Sequence, residues 1–280
     1  MKKTAVLLWV LLMVLPAVAS AAETLSLDGD FVQGGLVRGK TVPDAAVTLD
    51  GRTVNVDHEG RFVFGFGRDA DTEAELVVRF PSGESEVRRL DVASRDYSIE
   101  RIDGLPPKMV TPPKDVLERI RRENAMIAAV RQRQTDTDWF WGGFVRPAEG
   151  RYSGFYGSQR ILNGEPRRPH YGLDIAGPKG SPVAAPAPGI VALAERDLYY
   201  TGGTVMIDHG QGITSVLMHL DSVEVAEGQQ VQAGERIGTI GATGRASGPH
   251  LDWRVNWFEV RLDPGLLLED ARSVSAPVGR

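Results

Sequence analysis

The stretch GPHLDWRVNW at residues 248–257 decides the fold of the C-terminal half of this chain. The stretch opens with a Gly-Pro pair, and the residues after it, 250–257, are rich in aromatic and β-branched side chains, which predicts a β-strand at 250–257. Because side chains alternate between the two faces of a strand, His250, Asp252 and Arg254 share one face. We interpret the His/Asp pair either as half of a metal site or as a site that has lost a ligand.

From about residue 140 onward, further strand patterns lie around this stretch, and the first helical pattern of this region appears at 264–270. The additional strand candidates lie at 189–194, 203–208, 213–219 and 236–240. Short strands that follow each other without helices favour packed antiparallel sheets. We therefore predict a mainly β chain whose C-terminal antiparallel β domain spans residues 139–272, with a tail at 273–280.

A second set of short strands occupies the N-terminal half. Turn pairs such as Asp50-Gly51 and Ser82-Gly83 separate these candidates, which lie at 46–49, 52–56, 61–66, 73–80 and 85–91. Closely spaced strands without helices predict a small β-sandwich of immunoglobulin-like type at 22–104. His58 lies in a predicted turn of this domain, and we do not expect it to bind a ligand.

A linker region at 105–138 separates the two β domains. It opens with the proline-rich LPPKMVTPP at 105–113. The following residues, 114–134, contain no Gly or Pro, and their apolar positions recur at helical spacing, at Leu117, Ile120, Ile127 and Val130. This pattern predicts one amphipathic helix that packs as a spacer on a neighbouring domain. A helix that covers and regulates an active site is the alternative.

The first 21 residues have the pattern of a secretory signal peptide. Lys2 and Lys3 precede an apolar run at 5–15 that is short for a membrane span, and the small residues ASA follow at 19–21. Cleavage would lower the formal charge from −5 to −7. The chain has no cysteine, which excludes disulfides and thiolate metal ligands.

These features predict a bacterial protein that is periplasmic or secreted, with no transmembrane anchor after cleavage of the signal peptide. The acidic charge argues against a nucleic-acid partner. The sequence does not decide the oligomeric state.

Four of the five histidines lie in the predicted C-terminal domain. His170 precedes Asp174 by four residues, and Gly172 keeps the face between them open if the segment is extended. His219 ends the predicted strand SVLMHL. Imidazole and carboxylate suit Zn²⁺, and a catalytic zinc site needs three protein ligands. His170, Asp174 and a residue of 250–252 would supply that set.

Four stretches of this region resemble the M23 (lysostaphin-type, LytM-like) metallopeptidases. They are SGFYGSQR at 153–160, HYGLDIAGPKGSPVAAPAPGIV at 170–191, GGTVMIDHGQGITSVLMHL at 202–220 and VAEGQQVQAGERIGTIGATGRASGPHLDWRV at 225–255. The resemblance covers about residues 140–270. It implies an M23 peptidase-like fold and a metalloendopeptidase that uses Zn²⁺ to cleave peptide cross-links or stems of bacterial peptidoglycan.

The resemblance also implies a role for five residues. His170 and Asp174 match two metal ligands of the family, and Asp252 stands where the family has a histidine as third ligand. His219 and His250 match the family's catalytic histidines, which do not bind the metal.

The exchange at Asp252 leaves three interpretations open. In the first, Asp252 binds Zn²⁺ and Arg254 orients it from behind. In the second, Asp252 pairs with Arg254 and no metal binds stably, so that the domain binds the wall or activates another hydrolase. In the third, the additional oxygen ligand favours a harder ion such as Mn²⁺.

Two smaller points complete the sequence-based expectations. The G-x-x-V-x-x-G-x-x-I-G pattern at 228–238 also occurs in biotinyl and lipoyl carrier domains, but these need a lysine at a hairpin tip, and Lys179 lies far from the pattern. His209, at a predicted hairpin turn, is interpreted as structural. Candidates for the lining of a substrate groove, or simply packing residues, are Tyr171, Tyr199 and Tyr200.

Overall fold

The computed structural model describes residues 24–106 and 110–271. The predicted signal peptide at 1–21 and the predicted tail at 273–280 lie outside the described residues. Within the described part, no helix is long and apolar enough to cross a membrane. Strands dominate this part of the chain, which confirms the predicted mainly β class.

Seven N-terminal strands form two sheets, ordered β1-β2-β5 and β4-β3-β6-β7. The strands are β1 (Ser26–Gly29), β2 (Leu36–Lys40), β3 (Ala46–Leu49), β4 (Arg52–Val54), β5 (Arg61–Gly65), β6 (Glu73–Arg79) and β7 (Ser85–Asp91). Asp50 and Gly51 have φ values of 47° and 76°, the two-residue hairpin turn that Asp-Gly favours. The sandwich differs from the immunoglobulin constant type in that β4 pairs with β3 instead of joining the β1-β2-β5 sheet.

The sandwich core combines the alternating strand β6 with the almost fully buried strand β5. In β6 the side chains of Ala74, Leu76 and Val78 are buried, whereas the intervening positions are exposed or half-buried. Phe62 and Phe64 of β5 are fully buried against them and stack with ring centroids 6.3 Å apart. Burial of large apolar side chains of this kind contributes roughly 1.5–3 kcal/mol per residue.

The C-terminal region is built on a ten-stranded sheet whose main path runs β17-β14-β15-β16-β19-β12-β9. Its strands are β9 (Arg151–Gly154), β12 (Leu173–Ala176), β13 (Pro182–Ala184), β14 (Gly189–Leu198), β15 (Gly202–Asp208), β16 (Ile213–Val223), β17 (Gln230–Val231), β18 (Arg236–Ile240), β19 (His250–Trp257) and β20 (Val260–Leu262). All neighbouring pairs in this sheet are antiparallel, as predicted. The predicted helix at 264–270 is only a short 3₁₀ turn, Pro264–Leu267, which the Asp263 side chain caps.

The two β regions are joined by strand pairing and by a buried ion pair. β8 (Ile99–Ile102), at the end of the predicted N-terminal domain, pairs in parallel with β10 (Gln159–Leu162), which also pairs with β11 (Glu165–Pro166). Arg95 donates to Asp263 Oδ2 over 2.7 Å, and both side chains are almost fully buried. The sandwich therefore packs directly against the C-terminal region.

One helix, α1 (Leu117–Arg131), follows a short 3₁₀ turn at Lys114–Val116. Val130 of the helix packs on Met206, Val216 and Met218 of the sheet. The other face of the same strands packs into the main core. Coverage on both faces explains why every residue of β15 is buried and why its sequence is almost uninterruptedly apolar.

Candidate metal centre

The site lies where β12 and β19 run side by side. Asp174 and Asp252 are direct partners in this antiparallel pair. Both carboxylates are buried, at 6% and 0% exposure. Like charges at directly opposed positions destabilise a sheet, so this pair requires positive charge close by.

His170 completes the cluster from the segment that leads into β12. One ligand atom from each of His170, Asp174 and Asp252 lies within 4.8 Å of the others. Gly172 lies between the first two in sequence, and its backbone passes close to the Asp252 carboxylate. Any other residue would place a Cβ 2.4 Å from Asp252 Oδ1, so only glycine fits here. The structure therefore brings together the three residues that the sequence analysis assigned to a metal.

Three atoms of this cluster have no hydrogen-bond partner although they are buried. They are both ring nitrogens of His170 and Oδ1 of Asp174. His170 Nε2 and Asp174 Oδ1 lie 3.2 Å apart, without aligned hydrogen-bond geometry. Buried polar atoms that lack partners cost about 1–3 kcal/mol each, and native proteins rarely keep them without a reason. Convergent nitrogen and oxygen donors of this kind fit a divalent cation.

Two arginines supply positive charge behind the carboxylates. Arg254 donates two hydrogen bonds to Asp252, from Nε to Oδ1 over 3.0 Å and from Nη2 to Oδ2 over 2.6 Å. Arg160 donates from Nη2 to Asp174 Oδ2 over 2.8 Å. It also donates from Nε to the carboxylate of Glu100, in β8, over 3.0 Å. Burial acts to raise the pKa of Asp252, but the charges of Arg254, His170 and His219, together with the hydrogen bonds from Arg254, hold this pKa well below its usual range.

His219 and His250 face each other with ring centroids 4.8 Å apart. Nδ1 of His219 lies 2.8 Å from the Thr243 carbonyl, and Nδ1 of His250 lies 2.8 Å from the Gly248 carbonyl. A carbonyl only accepts hydrogen bonds, so Nδ1 carries the proton in both rings, and in the neutral form Nε2 keeps its lone pair. Burial lowers the pKa of His219 to about 4 and thus favours the neutral ring.

The sequence pattern placed His219 at the end of a strand. In the structure it lies inside β16, four residues before the strand ends. Its φ of 64° is left-handed, and the strand register shifts just beyond it, between Leu220 and Ser222. This bulge interrupts the alternation of side chains, so that Met218 and His219 line the same groove. Bulges often direct a side chain towards a functional site in this way.

A groove of about 910 Å³ lies over the cluster, and a second cavity of about 230 Å³ adjoins it. His219 lines both, and His250 lines the smaller one. Of the three candidate tyrosines, Tyr171 and Tyr200 line the larger groove, while Tyr199 packs edge-on against Tyr200. His58 is exposed in a turn of the sandwich.

Sequence reasoning missed Arg160 and Glu100, both of which support Asp174. Arg160 ends the quoted stretch SGFYGSQR, so its position in a shared motif was the available signal. Glu100 lies 60 residues before Arg160 and approaches only because β8 pairs with β10. No local pattern announces a contact of this kind.

Comparisons with known proteins show the family of this chain. The model of peptidase family M23 matches residues 168–264. A crystal structure of a Pseudomonas aeruginosa protein assigned to peptidase M23 is 31% identical and superposes with a TM-score of 0.64, covering 84% of this chain and 94% of that one. The chain belongs to the M23 peptidase family. It therefore carries the fold of a metalloendopeptidase family, which confirms the resemblance found in the sequence.

Curated relatives of this M23 chain match over the same region. DD-carboxypeptidase/endopeptidase Mpg of Neisseria meningitidis is 44% identical over 91 residues, 32% of this chain and 21% of that protein. Peptidoglycan DD-endopeptidase ShyA of Vibrio cholerae is 41% identical over 87 residues, 31% of this chain and 20% of that protein. The chain thus spans about a fifth of the length of these curated relatives.

Proposed function

We propose that this protein is a zinc-dependent metalloendopeptidase that cleaves peptide cross-links or stems of bacterial peptidoglycan. The observation that carries the proposal is the convergence of His170, Asp174 and Asp252, with unsatisfied donor atoms, beside two histidines that keep Nε2 lone pairs. The relatives named DD-endopeptidase and DD-carboxypeptidase support the substrate class. A wall substrate also agrees with the predicted export.

His170, Asp174 and Asp252 are the residues that would hold the metal. A bound Zn²⁺ supplies a Lewis acid that polarises the scissile carbonyl and lowers the pKa of a coordinated water to about 7. Asp252 serves as a ligand although Arg254 contacts both its oxygens, because a carboxylate has about four lone-pair sites and the guanidinium occupies only two. Arg254 and Arg160 fix the two carboxylates and offset their mutual repulsion.

His219 and His250 carry the proton transfers. Each ring is oriented through its Nδ1 proton, which leaves Nε2 directed away from the backbone carbonyl. One Nε2 takes the proton of the attacking water. The other ring stabilises the oxyanion that develops on the scissile carbonyl in its doubly protonated form, in which Nε2 also carries a proton that it donates. The protonated base then returns its proton to the leaving amine.

A second function is favoured by one specific contact. The two-point pairing of Arg254 with Asp252 neutralises the third ligand within the protein. A domain in which this pair excludes the metal would bind the wall or activate another hydrolase without cleaving peptide bonds. Purified protein then separates the two functions, because only the first one digests the wall.

The test is release of soluble fragments from purified sacculi. We expect release that a chelator abolishes and that added Zn²⁺ or Mn²⁺ restores, and no release by His170→Ala. Arg133→Gln is a matched control, because Arg133 forms only an exposed pair with Glu227. If wild-type protein with either metal releases nothing from any sacculus preparation, the peptidase proposal fails and the wall-binding function takes its place.

A further inference from the structure

We propose that the groove over the metal centre is a carboxylate-binding site, which selects peptide stems that carry free carboxylates next to the scissile bond. This inference rests on the proposed function for the identity of the substrate. It adds the chemical feature of the stem that the groove recognises.

The groove is strongly basic in a protein that is acidic as a whole. The chain has 32 Lys and Arg against 37 Asp and Glu. The lining of the groove, by contrast, contains seven arginines and only two acidic residues, Asp252 and Glu259. An excess of one charge in a concave site focuses the electrostatic field and attracts ligands of opposite charge.

Several of these arginines pair with carboxylates. Arg254 and Arg160 hold the two site aspartates, as described above, and Arg131 of α1 lies 3.3 Å from Glu259. Arg261 donates to the amide oxygen of Asn256, which carries no charge. Its pKa is lowered to about 10 by burial and by the neighbouring charges of Arg131 and Arg254.

The segment before His170 adds two more positive charges. Arg167 donates through its Nη atoms to the carbonyls of Pro166 and Val110, and its buried Nε has no hydrogen-bond partner. Its nearest carboxylate is that of the exposed Glu165, whose Oε2 lies 3.9 Å from Nη1. Arg168 is an exposed residue of the groove lining.

Arg245 also lines the groove, and its guanidinium lies 4.6 Å from the ring centroid of Tyr200. Burial and the charges of Arg254 and Arg160 lower its pKa. Several guanidinium groups line one groove, and their positive charges repel each other. An anionic ligand bound between them would relieve this repulsion.

Carboxylates on a flexible peptide match this arrangement. A guanidinium binds a carboxylate through two parallel hydrogen bonds, and hydrogen bonds to charged groups contribute about 1.5–3 kcal/mol each. His219 lines the same groove as the arginines. A stem carboxylate that an arginine binds there would therefore lie close to the scissile bond. Amidation of the stem carboxylates removes the charge and replaces an acceptor oxygen by a donor, which the arginines repel.

The experiment measures binding without hydrolysis. A soluble disaccharide–tetrapeptide from bacterial wall, with free carboxylates, is titrated by calorimetry into chelator-treated full-length protein, and the same compound with amidated carboxylates is titrated in parallel. We expect amidation to weaken binding at least about tenfold. Arg261→Gln and the exposed Arg168→Gln should each weaken binding of the free form about five- to tenfold without affecting the amidated form, and Arg133→Gln should change neither.

Equal affinity for the two compounds, or no measurable binding of the free form, overturns the inference. Unchanged binding by both Arg168→Gln and Arg261→Gln overturns it as well, and Arg168→Gln guards against misfolding because its side chain is exposed. Competition by a short oligonucleotide at equal concentration would identify a merely basic surface. Sacculus digestion separates the two proposals. If the protein digests sacculi but binds both compounds equally, only this inference fails. If it prefers the compound with free carboxylates but digests no sacculi, only the peptidase proposal fails.

Discussion

Two buried histidines of the C-terminal region have opposite surroundings. His209 is fully buried, and its ring nitrogens lie 2.7 Å from the Pro188 carbonyl and 2.8 Å from Ser215 Oγ. His170 is just as buried, yet neither of its ring nitrogens has a hydrogen-bond partner. Burial alone therefore does not tell a structural histidine from a ligand, whereas satisfaction of the ring nitrogens does.

The largest expected effect comes from His170. We predict that His170→Ala loses its metal and at least about 10³-fold of its peptidase activity, because uncoordinated water returns to a pKa near 15.7. The fold should survive, since no hydrogen bond of the ring is lost. Metal analysis, wall digestion and circular dichroism check this. Metal retained by the variant at the wild-type stoichiometry would remove the difference between the two histidines.

The catalytic pair should behave differently from His170. We predict that His219→Ala and His250→Ala each lose about 10²–10³-fold in kcat, or ~3–4 kcal/mol, as for the loss of one electrostatic donor. Their metal content should stay at the wild-type level, because neither ring belongs to the cluster of three. Parallel kinetics and metal analysis check both halves, and metal loss in either variant would move that histidine into the ligand set.

His209 should show the reverse of His170. We predict that His209→Asn lowers the free energy of unfolding by about 2–3 kcal/mol, because the shorter side chain leaves one or both buried partner oxygens unsatisfied. Metal stoichiometry of the folded protein should not change. Denaturant unfolding with metal analysis tests this, and a stable variant without metal would make His209 part of the site.

The pH dependence of stability gives the smallest effect. Burial lowers the pKa of His209 to about 4, from 6.5. Because the unfolded chain then binds more protons between these values, the stabilisation is complete above pH 6.5 and is lost as the pH falls towards 4. At pH 5.5 the loss is on the order of 1 kcal/mol. His209→Asn should remove this part of the acid dependence in chelator-treated protein, and identical slopes for variant and wild type would contradict the assignment.

Much of the fold was predictable because its signals are local. The strands at 46–49, 85–91 and 250–257 occur with the predicted bounds, and a turn glycine lies close to one end of each, at Gly51, Gly83 and Gly248. The helix was predictable from its apolar spacing and from the absence of Gly and Pro in 114–134. The 3₁₀ turn at Pro264–Leu267 was mistaken for a helix because its apolar residues have helical spacing but too short a span.

The site was predictable only in part. His170, Asp174 and Asp252 could be grouped from their spacing and from shared motifs. The Arg160–Glu100 support depends on a parallel pairing between distant segments, and the bulge at His219 depends on a register shift with β18, which sequence periodicity does not encode. The unsatisfied atoms of His170 are a property of packing and become visible only in three dimensions.

The central claim is that the unsatisfied His170 cluster holds a metal and the satisfied His209 does not. Equilibrium dialysis of Zn²⁺ against wild type, His170→Ala and His209→Asn tests it directly. The account predicts about one bound Zn²⁺ per chain for wild type and His209→Asn, and none for His170→Ala. A full equivalent of Zn²⁺ on folded His170→Ala, or none on wild type, would contradict it.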